Sequence, residues 1–334
     1  MFWSQFRLIT LAPVFFLIIL SSYFITQLLK NKSEKAKMLP IQIVTVVLLV
    51  LEFFKQLLSI INGYDLYHIP LHFCSLFLYF LPIAAFYKGK YKEHFRTIAA
   101  TVSACLFLFM AVYPLLIYPD GDIQAIPAFF AGDWRSYFQF HSVVFHNVAI
   151  FSFFFFSFGN LCKHDTKRDL KAIVIAFAGY AVVSGAIANA IDVNFNNFVR
   201  CNADFLEAVR LSLVESIGWV GQLIYVIIIG IGTIAVPVLA YFVLKLFEKL
   251  IHDTRIGVIA SSVTTGIVAV GLLLCIFNKG MGALICSLIS MVAVSMVIPT
   301  LINSIKKKEL KNIIISSAFL AVNIAAIVVE YTGL

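Results

Sequence analysis

The chain has 334 residues, 61% hydrophobic and only 13% charged, with a formal net charge of +8 and a mean hydropathy of +0.97. Soluble domains carry roughly 25% charged residues, and no soluble core absorbs this much Leu, Ile, Val and Phe, so a water-soluble enzyme is excluded. The surplus lysines lie in short loops, where they set topology and meet anionic headgroups; no nucleic-acid partner is implied.

Apolar runs of about 18 or more residues predict spanning helices, not the roughly ten-residue alternating segments of an outer-membrane barrel. In chain order they fall at 8–29, 40–61, 71–87, 96–118, 137–158, 171–192, 213–244, 256–276, 281–302 and 312–331. The fold class is therefore an all-α polytopic bundle of about ten helices. The first run is read as a span and not a signal peptide, because it is long, lacks a small-residue cleavage pattern and precedes the basic run Lys30 to Lys37. The seventh is long enough to tilt or break, with Gly230, Gly232 and Pro237 marking where.

The loops alternate in charge. Lys30, Lys32, Lys35 and Lys37 follow the first span; Lys88, Lys90, Lys92 and Arg96 the third; Lys163, Lys167, Arg168 and Lys171 the fifth. Lys245, Lys249 and Arg255 follow the seventh, and Lys306, Lys307, Lys308 and Lys311 the ninth. The longest intervening loop holds Asp120, Asp122 and Asp133. The positive-inside rule puts every basic loop in the cytoplasm and both termini outside, as expected of a multi-pass protein of the cell membrane. Residues 256–334 carry almost no charge within spans. A seven-helix core over 1–250 with an outward-facing polar cavity, followed by an appended three-helix segment over 255–334, is the expected organisation. No internal repeat is evident, which removes the usual pointer to an inverted-repeat transporter.

Ionisable groups at bilayer depth are functional-site candidates by default. His72, Cys74 and Ser75 fall in the outer turns of the third helix, and His141 and His146 near the outer end of the fifth. Asn189 and Asp192 close the sixth, and Ser212, Glu215, Trp219 and Gln222 share one face at the start of the seventh. Glu52 and Lys55 form an i,i+3 pair able to neutralise itself. For acyl transfer, Cys74 or Ser75 would supply the nucleophile and His141 the base. His72 and Cys74 lie about 200° apart around one helix, so they form no direct dyad, whereas Ser75 can pair with His72. Small residues also pack helices without chemistry. A zinc site from His68, His72, His141, His146 and Asp192 is disfavoured, because His141 and His146 stand about 140° apart; no metal or cofactor is expected. The amides of Asn194, Asn196 and Asn197 either belong to a solvated loop or donate to an ester carbonyl or headgroup. The six cysteines show no CxxC spacing and no disulfide framework. His94, His164 and His252 belong to basic loops with no assigned role.

Ile69-Pro-Leu-His-Phe-Cys-Ser75, Gln139-Phe-His-Ser142 and Val193-Asn-Phe-Asn-Asn-Phe198 resemble the YwaF-like bacterial membrane proteins and, more distantly, the transmembrane protein 164 lipid acyltransferases. The resemblance covers roughly 40–245. It implies movement of a fatty acyl chain between phospholipids through a cysteine thioester assisted by histidine. The family's nucleophilic cysteine directly precedes the helix-three histidine, where this chain has Leu71; Cys74 lies one turn further on. His141 matches the second histidine, and Glu52 with Lys55 approximates the family's acidic–basic pair. The leading expectation is thus a protein acting on membrane lipids by phospholipid acyl transfer, with Cys74 as nucleophile, His141 as base and His72, Asn196 and Asn197 orienting the ester. The alternative is a transporter or binding protein for a small solute or lipid headgroup, with Glu52, Lys55, Glu215 and the histidines along its path. A catalytically inert scaffold is the third reading, so whether the chain is an enzyme stays open here. Protein partners are not indicated.

Overall fold

A computed structural model describes residues 11–112, 125–201, 203–277 and 279–332, so Asp120 and Asp122 lie outside the described residues. Among these the regular structure is helical. Helices α1 (Leu11–Leu29), α2 (Glu34–Ile61), α3 (Leu76–Phe86), α4 (Lys92–Val112), α5 (Ala125–Phe130) and α6 (Tyr137–Gly159) lead to α7 (Thr166–Ile191). Then come α8 (Asp204–Ile217), α9 (Trp219–His252), α10 (Thr254–Phe277), α11 (Lys279–Lys306) and α12 (Leu310–Thr332). Among the described residues six helices are long and apolar enough to cross a membrane: α2, α6, α7, α9 and the segments Arg255–Cys275 and Leu310–Val328. The protein is a multi-pass membrane protein. Val14–Leu29, Phe73–Phe86 and Val292–Lys306 are shorter apolar stretches.

Two boundaries differ from the sequence expectation. The third predicted span begins with a 3-10 turn, Phe73–Ser75, and its α-helix starts only at Leu76. His72, the cap of that turn, has extended backbone, so His72, Cys74 and Ser75 do not occupy turns of an α-helix. The 200° argument therefore does not apply, and the link between Ser75 and His72 is a backbone one, Ser75 N donating to His72 O at 2.9 Å. The seventh predicted span breaks at Gly218, not at Gly230, Gly232 or Pro237, all of which lie inside α9. Gly218 has φ +61 and ψ −135, a conformation that glycine alone adopts freely. Ser212 and Glu215 consequently lie on α8 and Trp219 and Gln222 on α9, so the four do not form one helical face.

The chain divides into two compact units. The first comprises Met1–Lys37, Leu106–Leu161 and Val243–Leu334. Phenylalanines make its core. Phe107 stacks on Phe153 with centroids 4.6 Å apart, and Phe153 and Phe154 both meet Phe247. Such pairs add about 0.5–1.5 kcal/mol each beyond the area they bury. Helix α1 packs against α6, while α10, α11 and α12 pack against one another. Asn323, a polar group inside α12, is fully buried and donates to Thr265 on α10 at 3.0 Å. Tyr23 on α1 donates to Asn303 on α11 at 3.3 Å.

The second unit comprises Met38–Cys105 and Cys162–Phe242. At its basic end the fully buried Asp169 accepts from Tyr241 Oη at 2.9 Å, from Arg168 Nε at 2.8 Å and from the Asp165 backbone at 2.9 Å. His164 Nδ1 also faces it at 3.4 Å. A buried carboxylate needs such a set to offset its lost hydration, so His164, given no role by sequence, helps fasten α7 to α9.

Candidate functional site

The site of interest in the second unit is the segment between α2 and α3, a loop held from several sides. Asp65 caps the 3-10 turn Leu66–His68 by accepting from Tyr67 N. Gln56 donates to the His68 carbonyl at 2.9 Å and to Glu52 at 2.6 Å, and Ser59 Oγ lies 2.7 Å from His68 Nδ1. Burial holds the His68 imidazole below its ordinary range; Asp65 opposes this, and Lys55 acts with it. Tyr79 donates to the Pro70 carbonyl at 2.9 Å. The Leu71 carbonyl accepts from Tyr180 at 2.8 Å and from Ser184 at 3.0 Å. Tyr180 and Ser184 are one turn apart on α7, so that helix carries the loop like a bracket.

The loop brings four predicted residues together. Lys55 is ion-paired with Glu52 at 2.8 Å. Its charge also bears on the His68 imidazole. His72 Nε2 donates to the Tyr67 carbonyl at 3.0 Å, which leaves Nδ1 as the lone-pair nitrogen. The ring is edge-on to Tyr67 at 4.3 Å and to Phe195 at 5.2 Å, which fixes its plane. Cys74 is half-buried and carries a free thiol.

The Val193-Asn-Phe-Asn-Asn-Phe198 run is built turn chemistry. Asn196 and Asn197 have φ +50 and +62, a left-handed region that asparagine tolerates better than most residues. Asn194 Oδ1 accepts from the backbones of Val199 and Arg200, both at 3.2 Å. The Asn196 amide donates to Thr233 at 3.0 Å, and the Asn197 carbonyl accepts from Tyr225 at 2.6 Å. Phe195 and Phe198 are driven inward, where Ile69 and Leu71 pack against them. The run thus supports the His72 ring from one side.

A second polar group stands at the α8–α9 break. Gln222 donates to Asn189 at 3.0 Å and to the carbonyls of Phe198 and Val199 at 3.3 and 3.1 Å. Arg210 reaches Gln222 at 3.3 Å while gripping Glu207 at 2.5 Å, and Glu207 also caps the Cys201 backbone at 2.7 Å. Arg210 holds the Glu207 carboxyl down to about 2. Glu215 and Trp219 are exposed, and Glu215 does not join either group. From the Asn189 and Gln222 end, a groove of about 570 Å³ runs between α7 and α9. Ala178, Ala181, Gly185 and Ala186 line one wall, and Val226, Ile227 and Ile231 the other. At 1.5 Å per residue the α9 wall from Gln222 to Ile234 is about 18 Å long, close to one leaflet of a hydrocarbon core about 30 Å thick.

His141 belongs to the first unit, buried on α6 with its ring stacked on Phe145 at 5.8 Å. His146, also buried, faces the Ser142 carbonyl of its own helix at 2.8 Å. Among the described residues no three His, Cys, Asp or Glu side chains form a metal-ligand set. Tyr180, Ser184, Gln56, Thr233 and Arg210 were not singled out from sequence. The i,i+4 spacing of Tyr180 and Ser184 in an apolar run was the available signal for the first two.

Comparison with curated proteins and with solved structures finds no match. A family model does match, across residues 2–242, and so takes in the first helix and all but the last three residues of the 40–245 expected from motifs. It spans every element that builds the loop, the asparagine turn and the groove, and by that match the chain belongs to the TMEM164 family.

Proposed function

We propose that this TMEM164-family protein, YwaF-like in its motifs, works in the cell membrane on membrane lipids and moves a fatty acyl chain through a thioester on Cys74. The supporting observation is that α7 carries both parts such chemistry needs. Its Tyr180 and Ser184 hold the loop that bears His72 and Cys74, and its small residues form a leaflet-long apolar groove ending at amides. The groove takes the acyl chain. The Cys74 sulfur attacks the ester carbonyl carbon, and the carbon–oxygen bond to glycerol breaks. The thiol proton goes to a base and then to the departing glyceryl oxygen. A lysophospholipid hydroxyl next attacks the thioester, gives its proton to the base, and the sulfur leaves as thiol. The resemblance assigns the base to His141, while His72, fixed by Tyr67 and Phe195, orients the ester. Asn196 and Asn197 serve by shaping the turn behind it.

The test is incubation of the purified protein with a phospholipid bearing a clickable acyl chain, scored for hydroxylamine-labile label. Wild type is expected to label, with Cys74→Ala reduced at least a hundredfold and His141→Ala strongly reduced. Label or lipid remodelling undiminished in Cys74→Ala would sink the nucleophile assignment. A second reading, lipid or solute binding without chemistry, is favoured by Leu71 at the family's thiol position. Absence of label across lipid classes, together with solute uptake in vesicles that Lys55→Met abolishes, would select it.

A further inference from the structure

Within the first unit, the ends of α1, α6, α9 and α11 and the first turn of α2 line one cavity of about 370 Å³. Its wall carries Lys30, Lys37, Lys306 and Lys307 together with His252 and Asn160, and no Asp or Glu is among its lining residues. We infer that this cavity is a binding site for a phosphate-bearing anion, separate from the chemistry proposed for Cys74 and independent of it.

Basic loops on a membrane protein ordinarily need no ligand, and lysines at helix C-termini are favourable in themselves. Charge magnitudes separate the two cases. Each helix C-terminus carries roughly half a negative elementary charge, so the four ends supply about two. Lys30, Lys37 and Lys306 already exceed that, and Lys37 stands in the first turn of α2, where the helix end is itself positive by about half a charge. The positive surplus is of the order that a phosphate group would neutralise, with its charge of about −1.5 to −2 at pH 7.

The site is also positioned. Lys306 donates to Gln27 at 2.8 Å and to Tyr23 Oη at 3.3 Å, and its ammonium lies 5.3 Å from the Tyr23 ring centroid. All three partners are neutral, so they fix the ammonium without cancelling it. Tyr23 is itself held by Asn303, and Asn303 donates to the Ile251 carbonyl at 3.2 Å. His252 is aimed by a 2.9 Å contact between Nε2 and the Ser157 carbonyl. Asn160 adopts φ +46 to end α6 against the wall. Lysines from two chain-distant segments, Lys30 with Lys37 and Lys306 with Lys307, thus converge on one concavity, whereas Lys32 and Lys35, of the same basic loop, do not line it. The volume falls in the ordinary range of small-ligand pockets, about 300–1,000 Å³, and suits a single phosphate or a phospholipid headgroup.

The test uses the full chain in nanodiscs. Inorganic phosphate is titrated into phosphatidylcholine discs by calorimetry. In parallel, native mass spectrometry counts lipids retained from discs containing one-fifth phosphatidic acid. Saturable phosphate binding would identify free phosphate as the source; selective retention of phosphatidic acid, with no phosphate heat, would identify a headgroup. In either case Lys30→Gln/Lys306→Gln is expected to weaken binding at least about tenfold, since each surface lysine contributes appreciably to holding an anionic group. Lys30→Arg/Lys306→Arg is expected to retain it, which guards against a folding defect. Lys32→Gln/Lys35→Gln, with the same charge loss outside the cavity, is expected to bind as wild type does. Equal loss in both Gln pairs, or neither probe binding to wild type, would overturn the inference.

Discussion

Glu207 accepts from Nε and Nη2 of Arg210 and from the Cys201 backbone. Held down to about 2 from an ordinary value of 4.5, it stabilises the folded turn wherever it is ionised there and would be ionised unfolded. That contribution is complete above about pH 4.5 and is lost as pH falls toward 2. Melting temperature measured from pH 7 down to 3 should fall in wild type, while Glu207→Gln should begin lower and show a flatter acid limb. The exposed position keeps the effect modest, because water and salt screen it. The asparagines teach a different lesson at this scale. Asn194, Asn196 and Asn197 stood out in the sequence as a distinctive run, yet composition cannot say which lone pair is already occupied. Their left-handed backbone and contacts to Val199, Arg200 and Thr233 make them turn builders. Glu52 and Lys55 were legible as a pair because their i,i+3 spacing alone brings them together.

Among the elements, the α7–α9 groove gives the sharpest prediction. A Cβ placed on Gly230 would meet only Ala181, at 3.8 Å, so a larger side chain can enter the groove without displacing backbone. Gly185 is unlike it, with Phe198 and Val226 at 3.2 and 3.4 Å. Gly230→Leu is therefore expected to fold normally yet reduce acyl labelling at least tenfold, whereas unchanged labelling would mean the chain binds elsewhere. Span positions were largely legible, because apolar length is dictated by bilayer thickness. Where a span breaks was not. In lipid the backbone keeps its helical hydrogen bonds wherever it can, so Gly230, Gly232 and Pro237 are tolerated within α9. Gly218 takes the break because its own amide donates to the Val214 carbonyl at 2.8 Å and its carbonyl accepts from Gly221 N at 2.9 Å, so the break leaves these backbone groups paired. The 3-10 entry to α3 was hidden for a related reason: its shape is imposed by Tyr180 and Ser184, more than a hundred residues away in sequence.

At the scale of the whole chain, the family match ends at residue 242, the last residue of the second unit. The hydrophobic trio α10–α12 had looked like an addition from its lack of charge. Yet Tyr23 and Gln27 on α1 contact Asn303 and Lys306 on α11, which lie in that trio. A chain ending at His252 is accordingly expected to leave detergent extracts as polydisperse or aggregated material. A monodisperse truncated protein with unchanged melting would show the trio to be dispensable. Long-range partnerships of this kind leave no periodic trace, so no reading of the sequence could have supplied them. They also set an order of events during synthesis. The second unit has all its residues once Phe242 is made, but Tyr23 waits 280 residues for Asn303, on the order of 15–60 s at typical rates of 5–20 residues per second. Throughout that interval the Tyr23 hydroxyl and the Gln27 side chain lack their partners on α11. Helix α1 can pack on α6 early but completes its polar contacts only after α11 is made, which makes its folding depend on whatever shelters nascent membrane segments.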